Sequence, residues 1–156
     1  MDLYTLFKVA HVVGAMVLFG TGAGIAFFML MAHRTRDPAL IAHTAGIVVL
    51  ADTVFTASAV VLQPITGATL ARLAGYPLLS GWIGLSLELY VVTGLCWLPV
   101  VWIQIRLRDL AIQAVTTGAP LPERYFRLFN LWFVLGFPAF AAVLGIVWLM
   151  VVKPPL

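Results

Sequence analysis

Three ionisable side chains sit where the chain otherwise reads as hydrocarbon: His11 in KVAHVVGAMVLFG, Asp52 in VVLADTVFTASAVVL and Glu88 in GLSLELYVV. A carboxylate at the centre of a bilayer costs about 2.5–3.5 kcal/mol or more unless it is paired, hydrated or neutral, so Asp52 and Glu88 are functional candidates by position alone. An imidazole beside two carboxyls can pass a proton, hold an ion or tune a redox group. Counted at 1.5 Å per residue from the expected outer helix ends, His11 lies about 11 Å deep, Glu88 about 13 Å and Asp52 about 16 Å. The expectation is therefore one buried polar layer of His11, Asp52 and Glu88, with Lys8 and Gln63 above it. Asp52, Thr56, Ala59 and Gln63 fall on one stripe of their helix, leading outward from that layer. The same residues could instead form a structural hydrogen-bonded network, or hold neutral carboxyls with no further role. No HxxxH or CxxC spacing is present, and the sequence assigns no metal site. Phosphate loops, nucleophile elbows and zinc-protease motifs are also missing, and no catalytic residue is assigned.

The elements that must position these residues follow from composition. In 156 residues, 63% are hydrophobic and 10% charged, and the mean hydropathy is +1.08, too apolar for a soluble globule. Four runs exceed the roughly 20 residues that cross a hydrocarbon core of about 30 Å, placed near residues 4–33, 38–63, 79–107 and 123–152. The first run is too long for a signal-peptide core and has Asp2 ahead of Lys8, so it reads as a mature helix. Arg34 to Pro38 ends it, and Pro38 suits the first turn of the next. Helix 2 is expected to stop at Gln63-Pro64, because Pro64 has no N–H to donate and restricts Gln63. ITGATLARLAGYPLL then reads as interfacial, with Arg72 and Tyr76 at headgroup level. Helix 3 carries Pro99, where a kink is expected, and continues past Arg106 into water as far as Gly118.

The fold class is all-α: a four-helix transmembrane bundle, up-down-up-down, forming one integral membrane domain over residues 1–156. Arg34, Arg36, Arg106, Arg108, Arg124 and Arg127 lie at one end, and Lys8, Arg72 and Lys153 at the other. That bias places the arginine-rich loops in the cytoplasm and both termini outside, in a multi-pass membrane protein. The partner implied is the lipid bilayer. The net charge of +3 flanks apolar runs without forming a basic face, which excludes nucleic acid.

Other residues have ordinary readings. Gly20 and Gly24 form a GxxxG, and Gly14, Ala15, Gly22 and Ala26 line roughly the opposite face. Both suit close helix packing, including a homo-oligomer or a membrane partner through Gly20 and Gly24. His33 and His43 read as interfacial residues near the inner helix ends. Trp82, Trp97, Trp102, Trp132 and Trp148 read as belt or lipid-facing aromatics, and Cys96 as a small packing residue. Asn130 suits an interhelical hydrogen bond.

LYTLFKVAHVVGAMVLFGTGAG, DTVFTASAVVLQPITG and RLFNLWFVLGFPAFAAVLGIVWLMVVKP resemble a bacterial family of small predicted integral membrane proteins with no assigned function. More distantly, the KxxH of Lys8 and His11, and the residues Arg127, Phe129, Asn130 and Lys153, are similar to HemJ-type membrane protoporphyrinogen oxidases. The helical layout also resembles the CopD copper-resistance membrane domain. The HemJ resemblance implies haem b, carried by His11 alone. The chain departs from that pattern at Gly84, Ser86 and Glu88, where a histidine and a lysine are expected after Gly-Trp, and at Leu131, where a Glu is expected. A bis-histidine haem within one chain is then hard to build. Three functions stay open: a polar layer handling a proton, ion or redox group; a haem-binding oxidoreductase; and a structural or partner-binding membrane subunit.

Overall fold

In the computed structural model, which describes residues 2–155, four long helices account for nearly all of the chain. They are α1 (Leu3–Thr35), α2 (Pro38–Leu73), α3 (Gly81–Thr117) and α4 (Glu123–Val152), and each is long and apolar enough to cross a membrane. Asp2 caps α1 by accepting from the Thr5 N–H at 2.7 Å, which holds its carboxyl below the ordinary range. Asp37 caps α2 in the same way through Ala39 at 2.8 Å, with Pro38 in the first turn. Arg36 and Gly118 end α1 and α3 in the left-handed conformation. Short loops join the helices into an antiparallel four-helix bundle, so the start of α1 and the end of α4 lie at one end and the arginine-rich loops at the other.

Helix α2 does not stop at Gln63. It runs through Pro64 to Leu73, so Ile65–Leu73 continues the membrane-crossing helix and forms no separate interfacial segment. The proline removes the N–H that would have bonded the carbonyl of Val60, four residues earlier. A neighbouring helix replaces it: Tyr90 on α3 donates its hydroxyl proton to that same carbonyl. In lipid a freed backbone carbonyl must find a partner, and Tyr90 supplies one.

The main core lies toward the arginine-rich end, where Met29, Ile41, Ala45, Ile103, Leu107, Ala111 and Tyr125 are fully or almost fully buried. Here His33 stacks on Phe129 with ring centroids 3.5 Å apart and pairs through Nδ1 with the Tyr125 hydroxyl at 3.3 Å. His33 is therefore built into the bundle and is not merely interfacial. Toward the terminal end packing is largely pairwise, the second half of α2 lying on α1 and α3 on α4. Phe27, Phe28, Val61, Leu95, Leu98, Val134 and Val151 face outward, the inside-out surface expected of a protein solvated by lipid. Asn130 also faces outward, so it makes no bond across the bundle.

Candidate functional site

Asp52 is the most deeply buried acid among the described residues, with 4% of its surface exposed. It opens a single turn of π-helix, Asp52–Thr56, inside α2. Such one-residue expansions are rare and recur at functional sites. The carboxylate accepts from two side chains of α3. Trp97 Nε1 donates to Oδ1 at 3.3 Å. Only one orientation of the Gln104 amide satisfies both of its neighbours: Nε2 donates to Asp52 Oδ2 at 3.1 Å, while Oε1 accepts from Trp132 Nε1 of α4 at 3.3 Å. The reverse would set oxygen against oxygen and N–H against N–H.

The result is a directed chain, Trp132 to Gln104 to Asp52, closed from the other side by Trp97. It joins three helices. Gln104 and Trp132 are 2% and 5% exposed, so the chain is shielded from the surface. Every donor is neutral, and among the described residues the one ion pair of the protein is elsewhere, between Arg108 and Asp109. One turn beyond Asp52 is Thr56, whose Oγ1 is buried and has no hydrogen-bond partner among the described residues.

A second polar group lies nearer the terminal end, between α1 and the last third of α2. His11 Nδ1 pairs with Thr66 Oγ1 at 2.8 Å, and Gln63 Nε2 donates to the His11 carbonyl at 2.9 Å. Two glycines make this possible. A Cβ on Gly14 would lie 2.5 Å from Gln63 Nε2, and one on Gly67 would lie 3.1 Å from the His11 ring.

The five expected site residues therefore do not form a single layer. His11 and Gln63 meet, while Lys8 and Glu88 are exposed. Asp52 lies eleven residues along α2 from Gln63, about 16 Å deeper at 1.5 Å per residue. The shared depth expected from the sequence rested on counting from Gln63 as the end of helix 2. With α2 extended to Leu73, Asp52 moves to the middle of the bundle, while Glu88 stays within about 11 Å of its helix start.

Three members of the Asp52 site, Trp97, Gln104 and Trp132, are not evident from residue type alone. Two are tryptophans that read as belt residues, and Gln104 stands beside arginines in a segment that reads as leaving the membrane. The available signal is spacing: Trp97 and Gln104 are seven residues apart on α3, hence on one face. The GxxxG of α1 plays little part in packing within the chain, since a Cβ on Gly20 would meet nothing within 4 Å and one on Gly24 only Phe28.

No group of three or more His, Cys, Asp or Glu side chains able to hold a metal ion occurs among the described residues. No curated protein and no solved structure matches the chain. One family does match, over residues 5–154, which include every residue of both polar groups. The chain thus belongs to the family described as predicted integral membrane protein (DUF2269).

Proposed function

We propose that this multi-pass protein handles protons in a bacterial inner membrane, with Asp52 as the group that takes up and releases the proton and the arginine-rich end in the cytoplasm. The observation that carries the reading is a mid-bundle carboxylate, 4% exposed, that receives only neutral N–H donors. Without a fixed cation beside it, the least costly way to neutralise such a charge in lipid is a mobile one, and the smallest is H⁺. Both carboxylate oxygens already accept, so a carboxyl proton would turn toward the unpartnered Thr56 hydroxyl. From there the α2 stripe runs through Ala59 to Gln63 and Thr66, where His11 offers an exchangeable imidazole near the terminal end. Lys8 and Glu88, both exposed, sit closer to the level of His11 than to that of Asp52.

Haem b, which the HemJ likeness would assign to His11, does not fit a bis-histidine arrangement. His33 follows on the same helix 22 residues later, about 33 Å away, and is stacked on Phe129. His43 is exposed near the start of α2.

The test is infrared titration of the protein in lipid, joined to proton uptake by proteoliposomes under an imposed potential. The proposal expects a protonated-carboxyl band that vanishes in Asp52→Asn, and proton uptake that falls at least tenfold in the same variant. Unchanged uptake in folded Asp52→Asn would leave the site a structural network. A Soret band in purified protein that disappears in His11→Ala would replace the proton reading with a haem one.

A further inference from the structure

We propose that the arginine-rich end carries a binding site for one phosphate group, placed to take the headgroup of an anionic phospholipid. A groove of about 220 Å³ opens between the last turns of α3 and the first turn of α4, lined by Arg106, Asp109, Leu110, Gln113 and Arg124. Its one acid is already neutralised. Arg108 donates to Asp109 Oδ1 from Nη2 at 2.8 Å and from Nε at 3.1 Å, leaving Arg106 and Arg124 as a surplus of two positive charges facing the groove. Neither forms an ion pair among the described residues. A guanidinium pair around a polar cleft suits the tetrahedral, multiply accepting oxygens of a phosphate.

Depth selects the membrane as the source. The 37 residues of α3 span about 55 Å, well beyond a hydrocarbon core of about 30 Å. Some 20 residues inward from Trp82 brings the helix to Trp102, which is 48% exposed, and the Arg106 guanidinium lies 5.5 Å from its ring centroid. Exposed tryptophan with arginine one turn further on marks the interface between chains and headgroups. The groove therefore opens at headgroup level. Gln113 adds a neutral donor about two turns beyond, where a headgroup would project into water.

The experiment is native mass spectrometry of the full chain released from mixed micelles of phosphatidylglycerol and phosphatidylcholine. Wild type should retain phosphatidylglycerol in preference to phosphatidylcholine. Each basic residue near an anionic surface counts for about fivefold, so Arg106→Gln/Arg124→Gln should weaken retention about 25-fold. Arg106→Lys/Arg124→Lys keeps the charge and should keep most of the binding. Arg34→Gln/Arg36→Gln removes as much charge from the other inner loop and should leave retention within twofold. Added inorganic phosphate separates the sources: no displacement assigns the site to lipid, and displacement overturns that assignment in favour of a soluble phosphate compound in the same groove. Wild-type retention by a folded Arg106→Gln/Arg124→Gln protein, or an equal loss in Arg34→Gln/Arg36→Gln, overturns the proposal.

Discussion

Exchanging the acid and the amide of the buried chain, Asp52→Asn with Gln104→Glu, tests the site most directly. In Asp52→Asn alone, no arrangement satisfies every group. If the introduced amide turns its oxygen to Trp97, its NH₂ faces the Gln104 NH₂. If Gln104 then flips, its own NH₂ faces the Trp132 N–H. If the introduced amide flips instead, its NH₂ faces the Trp97 N–H. Each choice sets two buried donors against each other with no acceptor between them, at a cost of at least about 1–3 kcal/mol. Adding Gln104→Glu removes the conflict. Trp97 then donates to the amide oxygen at position 52, the NH₂ of that amide donates to the carboxylate at position 104, and Trp132 donates to the second carboxylate oxygen. The two substitutions should therefore couple by about 1–3 kcal/mol, the double variant losing that much less than the sum of the two single losses. That exceeds the roughly 0.6 kcal/mol of an average interhelical hydrogen bond in membrane proteins, so the effect can be told from loss of a single bond. A carboxylate at position 104 is buried no more cheaply than one at position 52, so the single variant Gln104→Glu supplies the control for the added charge and closes a double-mutant cycle. The assay is reversible unfolding in mixed micelles by SDS titration, followed by tryptophan fluorescence. Losses that simply add, with no coupling in the cycle, would refute both the amide orientation and the directed chain built on it.

Two further outcomes follow from the helix contacts. Tyr90→Phe orphans the Val60 carbonyl and should lower stability by about 1–3 kcal/mol in the same assay, while Pro64→Ala, which restores the missing backbone N–H, should recover most of that loss; equal effects of Tyr90→Phe with and without the proline would break the link. Gly14→Ala pushes a methyl into Gln63 Nε2, 2.5 Å away, and should cost about 1 kcal/mol through the bond to the His11 carbonyl. In a Gln63→Ala background the same substitution should cost a few tenths at most, and a full cost there would place the strain elsewhere.

Much of this protein is legible in composition and period. Long apolar runs, charged connections and caps at Asp37-Pro38 and Gly118 specify four membrane-crossing helices, because lipid tolerates little else. Asp52 and His11 stand out as candidates for the same reason, each being polar where polarity is costly. Partners are less legible, since they depend on which residues of separate helices reach the same depth. Pro64 is a helix breaker by its local chemistry, and only a tyrosine from 26 residues further on satisfies the carbonyl it frees, with α2 intact and Asp52 at mid-bundle. Trp97 and Trp132 look like belt residues until packing turns their N–H groups inward, and Gln104 looks like part of a water-bound extension. Hydropathy along the chain thus carries the class, the number of helices and the identity of the polar residues that are costly to bury. Packing alone separates the His11 and Asp52 sites, with Gln63 of the first about 16 Å along α2 from Asp52, because hydrogen bonds between helices depend on the relative depth and rotation of the packed helices, which no single helix encodes.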